Sequence, residues 1–186
     1  MNRAAAILLV FSMLAGCQSA RPRPVAGDGA ATDLDQGYAL LYSTLKDESQ
    51  LDKALILKNP GDEVENLVKS IAQFAAESRS RLDAFAREDA TLNLTFDGLP
   101  VLETETRNAI SSATAKALLL SGGDEFAHHI MLTQYEALKY IRHLAGELAD
   151  RETVEARKRF LERVADDAET RHELIVDWLR TKKHPA

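Results

Sequence analysis

Apolar residues recur at three- and four-residue spacing through most of the chain, the period of helices that each bury one face. The first such stretch carries Leu34, Tyr38, Leu41, Tyr42 and Leu45, continues toward Leu57, and is stopped by Asn59, Pro60 and Gly61. Asp62 opens the second, with Glu65 three residues on as in a capping box. Its stripe is Val64, Leu67, Val68, Ile71, Phe74, Ala75, Leu82 and Phe85. After a connection from Ala90 to Pro100, a third pattern runs through Ile110, Ala113, Ala117 and Leu118 and is interrupted at Ser121, Gly122 and Gly123. It resumes with Phe126, Ile130, Ala137, Leu138, Ile141, Leu144 and Leu148. A turn near Asp150 leads to a last helix burying Phe160, Leu161, Val164, Ala168, Ile175, Trp178 and Leu179. Only Thr91 to Phe96 alternates as a strand does, and one strand makes no sheet. The pattern predicts an all-α fold, an up-and-down four-helix bundle whose third helix is broken or kinked near Gly122 and Gly123.

The first residues follow a different rule. Arg3 precedes a nearly unbroken apolar run from Ala4 to Ala15, too short for a stable membrane span of roughly 20 residues but matching the apolar stretch of a secretion signal. Leu14, Ala15, Gly16 and Cys17 then resemble the lipobox of bacterial lipoproteins. That resemblance implies cleavage before Cys17 and a covalent lipid on the cysteine, which becomes the first residue of the mature chain. The residue after the cysteine is Gln18, not the aspartate that retains such proteins at the inner membrane, so the resemblance implies the outer membrane. Several acyl chains on one residue anchor stably where a single chain does not. Gln18 to Thr32, rich in Ala, Gly and Pro, reads as a tether holding the domain on the order of 20 Å from the lipid. The expected division is a signal at 1–16, a lipidated tether at 17–32 and a helical domain at 33–186.

Composition narrows the chemistry. The chain has 186 residues, one cysteine and a formal charge of −6; loss of residues 1–16 leaves 170 residues and, with Arg3 gone, a charge of −7. No basic stripe offers itself to a phosphate backbone, so no nucleic acid partner is expected. With Cys17 lipidated, no disulfide, thiolate nucleophile or thiolate metal ligand remains, and the fold rests on its apolar core.

Gly122 to Phe126 spell GGDEF, the signature pentapeptide of diguanylate cyclases. In that family it occupies a strand-turn-strand hairpin, whereas here it lies between helical runs. The cyclase reading is rejected: the glycines break a helix and Asp124 helps begin the next. Two Glu-x-x-His units, Glu125 with His128 and Glu169 with His172, have the spacing used by ferritin-like di-iron bundles. In a helical hairpin turning near Asp150, the two histidines are expected to be level. The helical wheel points Glu125 and His128 about 150° from the buried side and His172 about 50° from the middle of its own. This leaves the four as candidates for iron or another divalent metal. Glu48 and Asp52 continue the line of Leu34, Leu41 and Leu45, and a phase change near Asp47 to Ser49 is expected to turn them outward. Gln134 falls on the buried side and needs partners. Arg151 to Arg159 reads as a solvated helix start. No nucleophile elbow, phosphate loop or His-Glu-x-x-His motif is present.

From Leu67 to Leu179 the chain resembles the secreted ferritin-like helical bundles of bacteria grouped as families of unknown function. The resemblance rests on bundle length, the Glu125-Phe126 helix start, Gln134 eight residues on, and the histidine in the final helix. It implies a fold more than an activity. The expected role is non-enzymatic: an outer-membrane-anchored interaction or structural module with an envelope protein as partner. The alternatives are a ferritin-like metal-binding protein and a carrier of an apolar ligand; beyond the lipid on Cys17, no cofactor is expected.

Overall fold

The computed structural model describes residues 29–56, 58–95 and 101–182, which are all-helical with no strand among them. Five α-helices follow in order: α1 (Gly29–Glu48), α2 (Asp62–Glu88), α3 (Val101–Leu120), α4 (Gly123–Arg151) and α5 (Glu155–Lys182). A 3-10 turn at Leu51–Ile56 separates the first two. The stretch at 91–95 that alternates like a strand is irregular; it buries Leu92 in the core and packs half-buried Leu94 against it.

α2 shows why the sequence folds this way. Val64, Val68, Ile71, Phe74, Ala75, Leu82 and Phe85 are buried along one face, and Asp62, Glu63 and Glu65 place negative charge on its first turn, where the helix dipole favours it. The expected capping box does not form. Gly61 is the N-cap, at φ 91°, and no side chain caps the helix, while Glu65 pairs with Lys69 instead. A positive φ at that corner suits glycine.

Side-chain contacts fix the helix directions. Phe85 meets Phe160 edge to face at 5.5 Å and the Arg171 guanidinium lies 4.6 Å from the Phe74 ring, so α2 and α5 are antiparallel. Tyr135 stacks on His172 at 4.5 Å and Arg142 pairs with Glu169 at 2.6 Å, so α4 and α5 are antiparallel too. Arg79 donates to Ser49 Oγ, and Tyr42 faces Asp83, which opposes α1 and α2. α1 also runs against α4, and closely: a Cβ on Gly37 would come within 2.5 Å of Leu148 Cδ2, so the absence of a side chain lets the helices approach.

α2 and α4 therefore point the same way. The chain leaves α2 at the end where Asp89 meets Arg157 and enters α4 at the other, where Lys58 sits, so α3 carries it back along the body. The Lys58 ammonium takes the carbonyls of Leu118, Leu119 and Ser121, satisfying acceptors left open at the end of α3. The break expected near Gly122 and Gly123 is therefore present, and it separates two helices that run in opposite directions.

The apolar core is shared by α1, α2, α4 and α5. Tyr38, Leu41, Leu45, Val68, Ile71, Leu82, Phe126, Ile130, Leu138, Ile141, Leu161 and Ile175 are among its fully or nearly fully enclosed members. α3 contributes no buried residue and touches the core only through half-buried Leu118. No helix among the described residues is long and apolar enough to cross a membrane.

Candidate functional site

Two of the places where charged or polar side chains enter this interior involve α1. The first is at mid-height, where α1 ends. Glu48 is its last residue, and the helix is not yet out of phase when it stops, so the carboxyl points inward beside Gln134 of α4. The outward turn expected near Asp47 to Ser49 comes one residue too late for Glu48, although Asp52, in the 3-10 turn, is exposed. Glu48 Oε2 is enclosed without a hydrogen-bond partner, and so is Oε1 of Gln134, itself 3% exposed. Burial pushes the Glu48 carboxyl up to about 7, with the Gln134 amide pulling the other way and Asp47 adding to the rise. Glu48 as a whole is half-buried, so its carboxyl reaches inward from the edge of the core.

The second lies where α2 and α4 end and α5 begins. Tyr38 Oη donates to Glu152 Oε2 at 2.5 Å, Arg157 Nε pairs with the same oxygen at 2.9 Å, and the Val154 amide donates to Oε1 at 2.7 Å. Arg157 also reaches Asp89 at 2.7 Å, and Asp89 accepts from the Thr91 amide and hydroxyl. The Glu152 side chain has no exposure, and Arg157 retains 13%. Burial alone would raise the Glu152 carboxyl, but the Tyr38, Val154 and Arg157 hydrogen bonds outweigh it and hold it below its ordinary value. Asp89 is held down to about 2, first by Thr91 and then by Arg157. Burial and the negative Glu152 push the Tyr38 phenol well up, so it stays a donor. One residue from α1, one beyond each of α2 and α4, and one from α5 are thus tied by one network, in which Arg157 Nε faces Glu152 as an ion pair without a hydrogen bond of its own.

Sequence reasoning missed this network. Its stretch Arg151 to Arg159, read as solvated, is exposed at Arg151 and Arg159 but not at Arg157. The available signal was Tyr38 on a buried stripe, because an enclosed phenol needs a partner.

The residues singled out for a metal are not brought together. Glu125 is exposed and its nearest imidazole is His129, at 3.6 Å, one residue beyond the expected His128. His128 is exposed and its ring lies 6.4 Å from that of Trp178, whereas His172 is level with Tyr135. The two histidines are therefore seven α4 residues apart in height, about 10 Å, and not level as the hairpin arithmetic implies. Glu169 is 4.0 Å from His172 Nδ1 but is engaged by Arg142. Among the described residues no group of three or more His, Cys, Asp and Glu side chains converges as a metal cage. Cys17 lies outside the described residues.

The GGDEF stretch starts a helix. Gly122 is the N-cap, the Glu125 carboxylate reaches back to its amide at 3.4 Å, and Phe126 is fully buried. Asp124, Glu125 and His128 border an open groove with Gly61, Val64 and Trp178. A second open groove is lined by Gly37 and Leu40 of α1 and by Leu144 and Leu148 of α4. No family model, curated protein or solved structure matches the chain, and hence no enzyme family, enzyme relative or enzyme structure does.

Proposed function

We propose that the protein is a lipid-anchored module of the outer membrane in which α1, α2, α4 and α5 form a four-helix bundle that presents α3 to a partner in the cell envelope. The lipobox-like Leu14 to Cys17 and the tether after it support the anchor. One observation carries the interaction role: α3 spans 20 residues, buries none, and leaves Val101, Leu102 and Leu120 more than 70% exposed and Ile110 61% exposed. Apolar side chains grouped on a helix that the core does not use mark an interaction surface.

Two measurements test the two halves. Replacing Cys17→Ser releases the protein from the membrane fraction, and unchanged fractionation would refute the anchor. A photo-crosslinking residue at Ile110, activated in intact cells, yields a covalent adduct; its absence at Ile110 and at Leu102 alike would refute the interaction role.

A further inference from the structure

On α3 the half-covered positions of the last two turns are Thr114, Ala115, Ala117 and Leu118, which face the body. At about 100° per residue, the opposite side carries Leu102, Ala109, Ala113 and Leu120, with Glu105 and Lys116 together along one edge. All six are exposed, and neither Glu105 nor Lys116 enters an ion pair among the described residues. The helix contains two acids, Glu103 and Glu105, and two bases, Arg107 and Lys116, so it is neutral in a chain of charge −6.

This face is complementary to itself in reverse. Laid antiparallel about a twofold axis at Ser111, Leu102 is level with Leu120 of the second copy and Ala109 with Ala113. Glu105 falls within one residue of Lys116 of the second copy, and the symmetry makes that pair twice. In an antiparallel helix pair, side chains on the same edge of each helix face one another, which is the placement Glu105 and Lys116 have. The alanines allow close approach at the centre, and the leucines close both ends. We infer that the partner of α3 is a second copy of this chain, bound as an antiparallel α3–α3 pair with an isologous interface. The inference rests on α3 being the interaction surface. A lipid surface fits less well, because helices that lie on membranes carry a Lys- and Arg-rich polar face, and here the flank is half acidic.

The test uses the chain from Gln18 onward, which keeps every described residue, in sedimentation equilibrium over a range of concentrations. The unaltered chain forms a dimer. Glu105→Lys and Lys116→Glu singly place like charges opposite one another twice and weaken dimerisation by about tenfold each. The double exchange restores opposite charges and returns the affinity toward the original. Circular dichroism confirms that helix content is unchanged in all four. A chain that is monomeric at every concentration overturns the proposal, as does a dimer indifferent to all three variants. Binding to phosphatidylglycerol vesicles by a monomeric chain would assign the face to lipid. The in-cell crosslink separates this inference from the reading beneath it: an adduct of twice the chain's mass supports the self-pair, whereas an adduct to a different protein overturns the self-pair and leaves the interaction role standing.

Discussion

Replacing Glu48→Gln should make the protein more stable above neutral pH and leave it unchanged in mild acid. The carboxyl sits at about 7 against an ordinary value of 4.5, because burial penalises its charged form. A raised folded-state value means that the native chain still holds the proton where the unfolded chain has released it. Stability from this group is therefore complete below about pH 4.5, declines as pH rises, and is lost above about pH 7. The gap amounts to about 3 kcal/mol. Glutamine keeps the size and the neutral charge of the protonated side chain without titrating, so the variant should match the natural chain near pH 4.5 and exceed it at pH 8 by up to about 3 kcal/mol. For a chain of this length that is roughly 6–12 °C in Tm. Urea unfolding at half-unit steps from pH 4.5 to 8.5 measures the difference. A difference that stays constant across the series would refute the inward, proton-holding carboxyl.

The network around Glu152 makes opposite demands. Arg157→Met strands the enclosed Glu152 and should cost about 3–5 kcal/mol, against about 1.5–3 kcal/mol for Tyr38→Phe, in denaturant unfolding; an Arg157 variant that costs less than the Tyr38 variant would remove the central role of the ion pair. Glu152 and Asp89 are both held down, so their contribution is present above their unfolded values and is lost as pH falls through their lowered ones, about 2 for Asp89. Together with Glu48 this places the stability maximum between about pH 4 and 5, and a calorimetric maximum at pH 8 would contradict it. Within the GGDEF stretch, Phe126→Ala should cost about 3–5 kcal/mol while Glu125→Ala costs about 1 or less in thermal unfolding, and a larger loss at Glu125 would mean that its carboxylate does more than cap α4.

The helices were legible because each carries its own stripe at helical spacing, and α2 shows this most cleanly. Their directions were less so. Whether Gly122 and Gly123 bend a helix or reverse the chain depends on what waits at the end of α3, and that is Lys58, sixty residues earlier for Leu118. The height of His172 against His128 likewise depends on how the turn between α4 and α5 sets the register, which a count from Asp150 does not supply. Glu48 continues the buried line of α1, and only an expected phase change near Asp47 to Ser49 turned it outward; its inward placement follows from where α1 stops. The network of Tyr38, Asp89, Glu152 and Arg157 was hidden for a different reason: three of its four members are charged residues at or beyond helix ends, where charge is ordinarily solvated.

The place of that network also has a mechanical meaning. Tyr38 and Gly37 lie in the first half of α1, level with the far ends of α4, so a pull on the helix from its first residue along its axis loads its side contacts in parallel, as shear, instead of peeling them one by one. The Tyr38 hydroxyl on Glu152 and the Gly37 contact with Leu148 take that load ahead of Leu41 and Leu45. Because Glu152 is held in turn by Arg157, and Arg157 by Asp89, the force entering one helix is handed at once to the ends of three others.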